Sequence, residues 1–97
     1  MRSLNKREKT IEQQLVKEVK LRGGLCEKWN AGTSGWPDRL VLFSDMKAAF
    51  IETKAPGKSP RPLQLHRHEQ LRRLGFPVYV LDDSKQIGGI LDEIQAT

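Results

Sequence analysis

The chain has 97 residues, with 17 Lys and Arg against 12 Asp and Glu, for a formal charge of +5. That length holds one small core, so residues 1–97 read as a single domain, and 37% hydrophobic with 30% charged residues excludes a disordered chain. Its apolar runs fall far short of a membrane span, no secretory leader is expected, and the lone Cys26 excludes an internal disulfide or a cysteine zinc cluster, which points to a reducing cytoplasm.

In chain order, Asn5 can cap a first helix, with Glu8 at the capping-box spacing. Ile11, Leu15, Val16 and Val19 make its apolar stripe, and Gly23 with Gly24 ends it. Residues 25–29 read as a short strand and residues 30–35 as a small, polar loop. Two strands follow at 39–44 and 48–54, joined by a hairpin turn at 45–47. Three prolines and a glycine keep residues 55–62 irregular. The pattern is then helical to Leu74, with Gly75 as its cap. A strand at 76–81 and a final helix capped by Ser84, bearing Ile87, Ile90, Leu91 and Ile94, complete the chain. The order α-β-β-β-α-β-α predicts an α/β sandwich of mixed sheet and helices.

The positive charge is concentrated. Residues 1–28 carry eight basic and four acidic side chains, and residues 54–73 carry six against one. Two such stretches on one side of a fold attract phosphate, although each alone also reads as a solvated helix face.

The chemistry-bearing residues lie at the ends of the hairpin. The start of one strand lies beside the end of the next, so Asp38 and Glu52 are expected to be neighbours. Strand alternation points Glu52 and Lys54 to the same face. Two carboxylates supply hard oxygen ligands for Mg²⁺ or Mn²⁺, and a lysine beside them can orient water and stabilise developing charge, a set suited to phosphodiester hydrolysis. By spacing alone, a structural salt bridge of Lys54 with Glu52 or Asp38 is the commoner outcome. Glu12 adds weight, because it stands among the apolar residues of the first helix, where a carboxylate needs a compensating partner or an edge position that reaches water. Glu8 reads as a capping and helix-dipole residue.

Glu12, the run Gly35, Trp36, Pro37, Asp38, the run Glu52, Thr53, Lys54, and Gln64 on the next helix together resemble the PD-(D/E)XK nuclease signature. More narrowly the chain resembles the VRR-NUC group, the virus-type replication-repair nuclease domain, as a stand-alone phage-type member. The resemblance runs from Glu12 to about Leu81. It implies a restriction-endonuclease-like αβββαβ core, followed here by a C-terminal helix, and metal-dependent cleavage of nucleic acid. By motif match, Asp38, Glu52 and the Thr53 carbonyl would ligate Mg²⁺ or Mn²⁺. Lys54 would position the attacking water, Glu12 would bind or organise a second metal, and Gln64 would orient Lys54 or the metal shell. One departure is Arg67, where such helices often carry an aromatic residue three positions after the glutamine.

Lys28, Arg39, Lys58, Arg61 and Arg67 are candidate nucleic-acid contacts, with solvent-exposed or internally paired side chains as the alternative for each. Trp29 and Trp36 can stack on bases or pack over the sheet. His66 and His68, two apart on a helix, do not face each other and make no zinc site. The resulting expectation is a metal-dependent endonuclease for branched DNA, resolving four-way junctions as a homodimer, with no membrane partner and no small-molecule cofactor. The apolar face of the last helix, which reads equally as ordinary core, or exchange of residues 1–22, is the candidate for the dimer contact. A nonspecific or end-directed nuclease and a catalytically silent DNA-binding module are the alternatives.

Overall fold

A computed structural model describes residues 6–97. The proposed Asn5 cap lies outside the described residues. Helix α1 runs Lys6–Leu21, and Gly23 takes a positive φ of 80° just beyond it, the left-handed conformation that lets the chain turn back toward the sheet. Strands β1 (Leu25–Lys28), β2 (Arg39–Phe43) and β3 (Lys47–Thr53) form an antiparallel meander. Helix α2 (Pro62–Arg73) then crosses over, so that β4 (Val78–Leu81) lies parallel to β3 and the sheet order is β1-β2-β3-β4. A short 3₁₀ turn at Ser84–Gln86, capped by the Asp83 side chain rather than by Ser84, leads into α3 (Ile87–Ala96).

The αβββαβ core with a C-terminal helix is therefore the observed architecture. Element ends shift by one to three residues for local reasons. The hairpin turn uses Asp45 and Met46, both at φ 61°, so Lys47 pairs with Phe43 as the first residue of β3. Two successive positive φ values give the twist that a tight hairpin needs. Pro77 has no N–H to donate, and β4 starts only at Val78, although the Pro77 carbonyl still accepts from the Phe50 amide at 2.9 Å.

Alternation along the strands sorts the apolar side chains into two layers. Ile11, Leu15 and Val19 of α1 pack with Val41, Phe43, Ala49, Ile51 and Leu81 of the sheet and with Ile87, Leu91 and Ile94 of α3. On the other side, Phe50, Leu71 and Val78 are buried with Trp29, Trp36 and Leu40 packed against them. The apolar face of α3 is thus core, with Ile90 packed against the same cluster, so this face does not serve a partner. Trp29 and Trp36 meet edge to face at 5.5 Å, and Trp29 lies 4.7 Å from Phe50, so both indoles are packing residues over the sheet. Among the described residues no helix is long and apolar enough to cross a membrane.

Candidate active site

The β2–β3 pairing ends with Arg39 opposite Ile51, which sets Asp38 level with Glu52 where the two strands run out. Both backbones are held there. The Trp29 amide donates to the Asp38 carbonyl at 3.0 Å, and the Lys54 amide donates to the Leu81 carbonyl at 2.9 Å. The Asp38 carboxylate accepts the Thr53 amide at 2.8 Å and also the Thr53 hydroxyl. The sheet therefore orients the carboxylate before any ligand arrives.

Glu52 and Lys54 are buried, and helix α2 closes over them. Lys54 Nζ lies 3.6 Å from Glu52 Oε2 and donates to Gln64 Oε1 at 2.9 Å. Gln64 Nε2 donates to the same Glu52 oxygen at 3.3 Å, and the Gln64 carbonyl oxygen also accepts the Arg61 amide at 2.8 Å, closing the first turn of α2. One glutamine thus ties the helix start to Glu52 of β3 and to Lys54 just beyond it.

Glu12 enters from α1, buried to 5% exposure. Its Oε2 accepts from Arg39 Nε at 2.8 Å, and Arg39 Nη1 donates to the Cys26 carbonyl at 3.3 Å. The expected compensation for this carboxylate is therefore an arginine from the strand beside it. A cleft of about 300 Å³ lies between the walls, lined by Glu8, Glu12, Lys28, Trp29, Asn30, Asp38, Glu52 and Thr53.

Burial, opposed by the two Thr53 hydrogen bonds and reinforced by Glu52 and Glu12, pushes the Asp38 carboxyl up from 3.8 to about 6. A group so placed is short of positive charge, which is what a hard cation would supply. Among the described residues, no three His, Cys, Asp or Glu side chains form a ready-made metal cage. Mg²⁺ does not need one, since it binds through one or two carboxylates, waters and substrate phosphate. The oxygen donors of Asp38, Glu52 and Thr53 fit such an ion. Cys26 has its thiol pushed up to about 11, chiefly by burial, which makes it a poor nucleophile.

The basic candidates separate. Lys28 is exposed at the rim of the cleft, and Lys58 and Arg61 are exposed on the loop leading to α2. Arg39 is committed to Glu12. Arg67 stacks 4.5 Å from the centre of the Trp36 ring, and donates to the Ser34 carbonyl at 3.1 Å and to Gln70 at 3.0 Å. It fills the place of the aromatic residue by clamping the loop before Asp38 onto α2. Gly35, at φ 91°, makes that clamp possible, since a Cβ there would lie 2.7 Å from Leu63 Cγ.

Two residues escaped the reading of the sequence. Glu8 is buried and lines the cleft one turn before Glu12, as the i, i+4 spacing allows. His68 is fully buried, with Nε2 3.4 Å from Glu52 Oε1. Its spacing of four from Gln64, which puts both on one face of α2, was the available signal.

No protein-family model matches the chain. It is 45% identical over 89 residues to "Putative nuclease p44" of Acyrthosiphon pisum secondary endosymbiont phage 1, covering 91% of this chain and 95% of that protein. A solved structure described as a VRR_NUC domain superposes with a TM-score of 0.83 at 30% identity, covering 91% of this chain and 97% of the other. On these two likenesses and the αβββαβ order, the chain belongs to the VRR-NUC family of PD-(D/E)XK nuclease domains.

Proposed function

We propose that the protein is a Mg²⁺- or Mn²⁺-dependent endodeoxyribonuclease that cuts branched DNA, resolving four-way junctions as a homodimer in the cytoplasm of a phage-infected bacterium. The observation that carries the nuclease reading is the pairing of Asp38 and Glu52 on one cleft, with Lys54 Nζ beside Glu52 and held by Gln64 at 2.9 Å. The phage relative and the VRR_NUC fold support the same reading.

In this mechanism Asp38, Glu52 and the Thr53 carbonyl would hold the ion. When bound, the ion neutralises the paired carboxylates and polarises the phosphate to be attacked. Lys54, aimed by Gln64, orients the attacking water and balances the charge that builds on the phosphate. Glu12, tied to Arg39, supplies further negative charge from the α1 wall. Lys28 at the rim and Lys58 and Arg61 on the loop hold the flanking backbone.

Junction resolution needs two sites in fixed relation, which a two-fold dimer supplies. Leu25 and Leu42 are cross-strand partners and are exposed to 58% and 38%, beside the free edge of β1. An exposed strand edge flanked by apolar side chains suits pairing with a second copy.

The test is a labelled immobile four-way junction and a matching linear duplex, each with Mg²⁺, Mn²⁺ or EDTA. Paired symmetric nicks in the junction alone, lost in EDTA, are the expected result. Degradation of both substrates would keep the nuclease and discard the resolvase, whereas tight binding without metal-dependent cutting would leave a DNA-binding module. Charge reversal of both Lys58 and Arg61 to Glu is expected to lower the slope of log affinity against log salt by about two, since each phosphate contact contributes roughly 0.9. A slope equal to that of the unaltered protein would remove this loop from the interface.

A further inference from the structure

His68 stands outside every motif of the chain, yet it is the most deeply placed polar side chain near the cleft, at 0% exposure. Its two ring nitrogens are treated very differently by the fold. Nε2 lies 3.4 Å from Glu52 Oε1, while buried Nδ1 has no hydrogen-bond partner among the described residues. An unpaired buried nitrogen is costly, and Leu or Phe would fill a core position of this size without that cost. The compensating interaction is the contact with Glu52.

The remaining partners of Glu52 sharpen the point. Gln64 Nε2 and Lys54 Nζ both approach Oε2, at 3.3 and 3.6 Å, so His68 is the side chain that addresses Oε1. A carboxylate with donors on one oxygen only can rotate about its Cγ–Cδ bond, whereas a donor on each oxygen fixes its plane. Gln64 and His68 lie four residues apart on α2, so one helix face delivers both donors. We infer that His68, donating from Nε2, is a positioning residue that fixes the plane of the Glu52 carboxylate for the divalent ion. Outer partners of this kind typically change metal affinity by about 10–100-fold when removed.

This inference rests on the proposed metal site, and it predicts a loss of metal affinity that a donor-keeping substitution restores. His68→Leu removes the donor to Glu52 Oε1 and leaves Gln64 and Lys54 on the other oxygen. The same substitution is expected to weaken Mn²⁺ binding, followed by titration calorimetry at one fixed pH, by about 10-fold or more. His68→Gln keeps an N–H donor on a side chain of comparable reach and is expected to recover most of that affinity. If His68→Leu binds Mn²⁺ as the unaltered protein does, or if His68→Gln is as impaired as His68→Leu, the positioning role is overturned. Should the leucine variant fail to fold, the glutamine variant beside His68→Asn, whose shorter side chain withdraws the donor, makes the same comparison. Absence of Mn²⁺ binding in the unaltered protein would instead overturn the metal-dependent reading itself.

Discussion

Asp38→Asn is expected to abolish cleavage, lowering the rate by about 10³-fold or more, while stabilising the metal-free protein at neutral pH. Both effects come from one carboxylate. Its titration is pushed up to about 6, first by burial and then by Glu52 and Glu12, against the opposing pull of the two Thr53 hydrogen bonds. Below about pH 4 the group is protonated in the folded and unfolded chain alike, so it costs nothing. As the pH rises through 4 to 6 the unfolded chain ionises it more readily, and stability falls. Above about 6 the full penalty is present, on the order of 1–3 kcal/mol from a shift of about two pH units. Asparagine carries no charge to desolvate and still offers an oxygen to the Thr53 amide. Thermal melts of the two proteins without metal should therefore diverge between pH 4 and 6 and stay apart at pH 7.5 by roughly 5–15 °C. Adding Mn²⁺ should raise the melting temperature of the unaltered protein and leave that of the variant nearly still. DNA binding should survive or tighten, since less negative charge faces the backbone. Undiminished cleavage by the variant would sink the assignment of Asp38, and superimposable melts would sink the account of its burial.

Lys54→Met is expected to slow turnover by about 10²–10³-fold with only a few-fold change in DNA affinity. Methionine keeps the apolar stem of a buried side chain and removes only the ammonium. That ammonium is held 2.9 Å from Gln64 Oε1 and 3.6 Å from Glu52 Oε2, beside a carboxylate that lines the cleft. Gln64 retains the Arg61 amide as a donor in the variant, and Glu52 retains Gln64 and His68, so no polar atom of the pair is stranded. The loss of a buried counter-charge still costs a few kcal/mol of stability, so turnover is best compared well below the melting transition. Mn²⁺ affinity should not weaken, because an ammonium repels the ion. A variant with unchanged maximal rate and a large loss of DNA affinity would make Lys54 a phosphate contact.

The nearness of these two residues to Glu52 was legible in the sequence. Adjacent antiparallel strands must set the residue before one beside the last residues of the other, and the period of two must put Glu52 and Lys54 on one face. The apolar stripe of α1, with Glu12 set into it, and the glycine stops likewise follow from local backbone and burial preferences.

What stayed out of reach were partnerships between segments distant in the chain. Arg39 stood in the sequence as an even choice between phosphate and carboxylate, and only the packing of α1 on the sheet, which sets residue 12 against residue 39, decides for Glu12. Arg67 read as a DNA contact on a basic helix, yet Gly35 brings the loop so close that Trp36 and the Ser34 carbonyl take the guanidinium. The apolar face of α3 was equally suited to a partner or to the core, since a stripe of isoleucines says that a face is buried and not by what; α1 and the sheet cover it. His68 was overlooked for the same reason, because a histidine on a basic helix acquires its meaning only when the crossover from β3 to β4 lays that helix over Glu52. Local patterning, then, determined the elements and the juxtaposition of Asp38, Glu52 and Lys54, because strand and helix periods act within a few residues. Tertiary packing decided the pairing of the charges and the coverage of the apolar faces, because those depend on which distant surfaces meet.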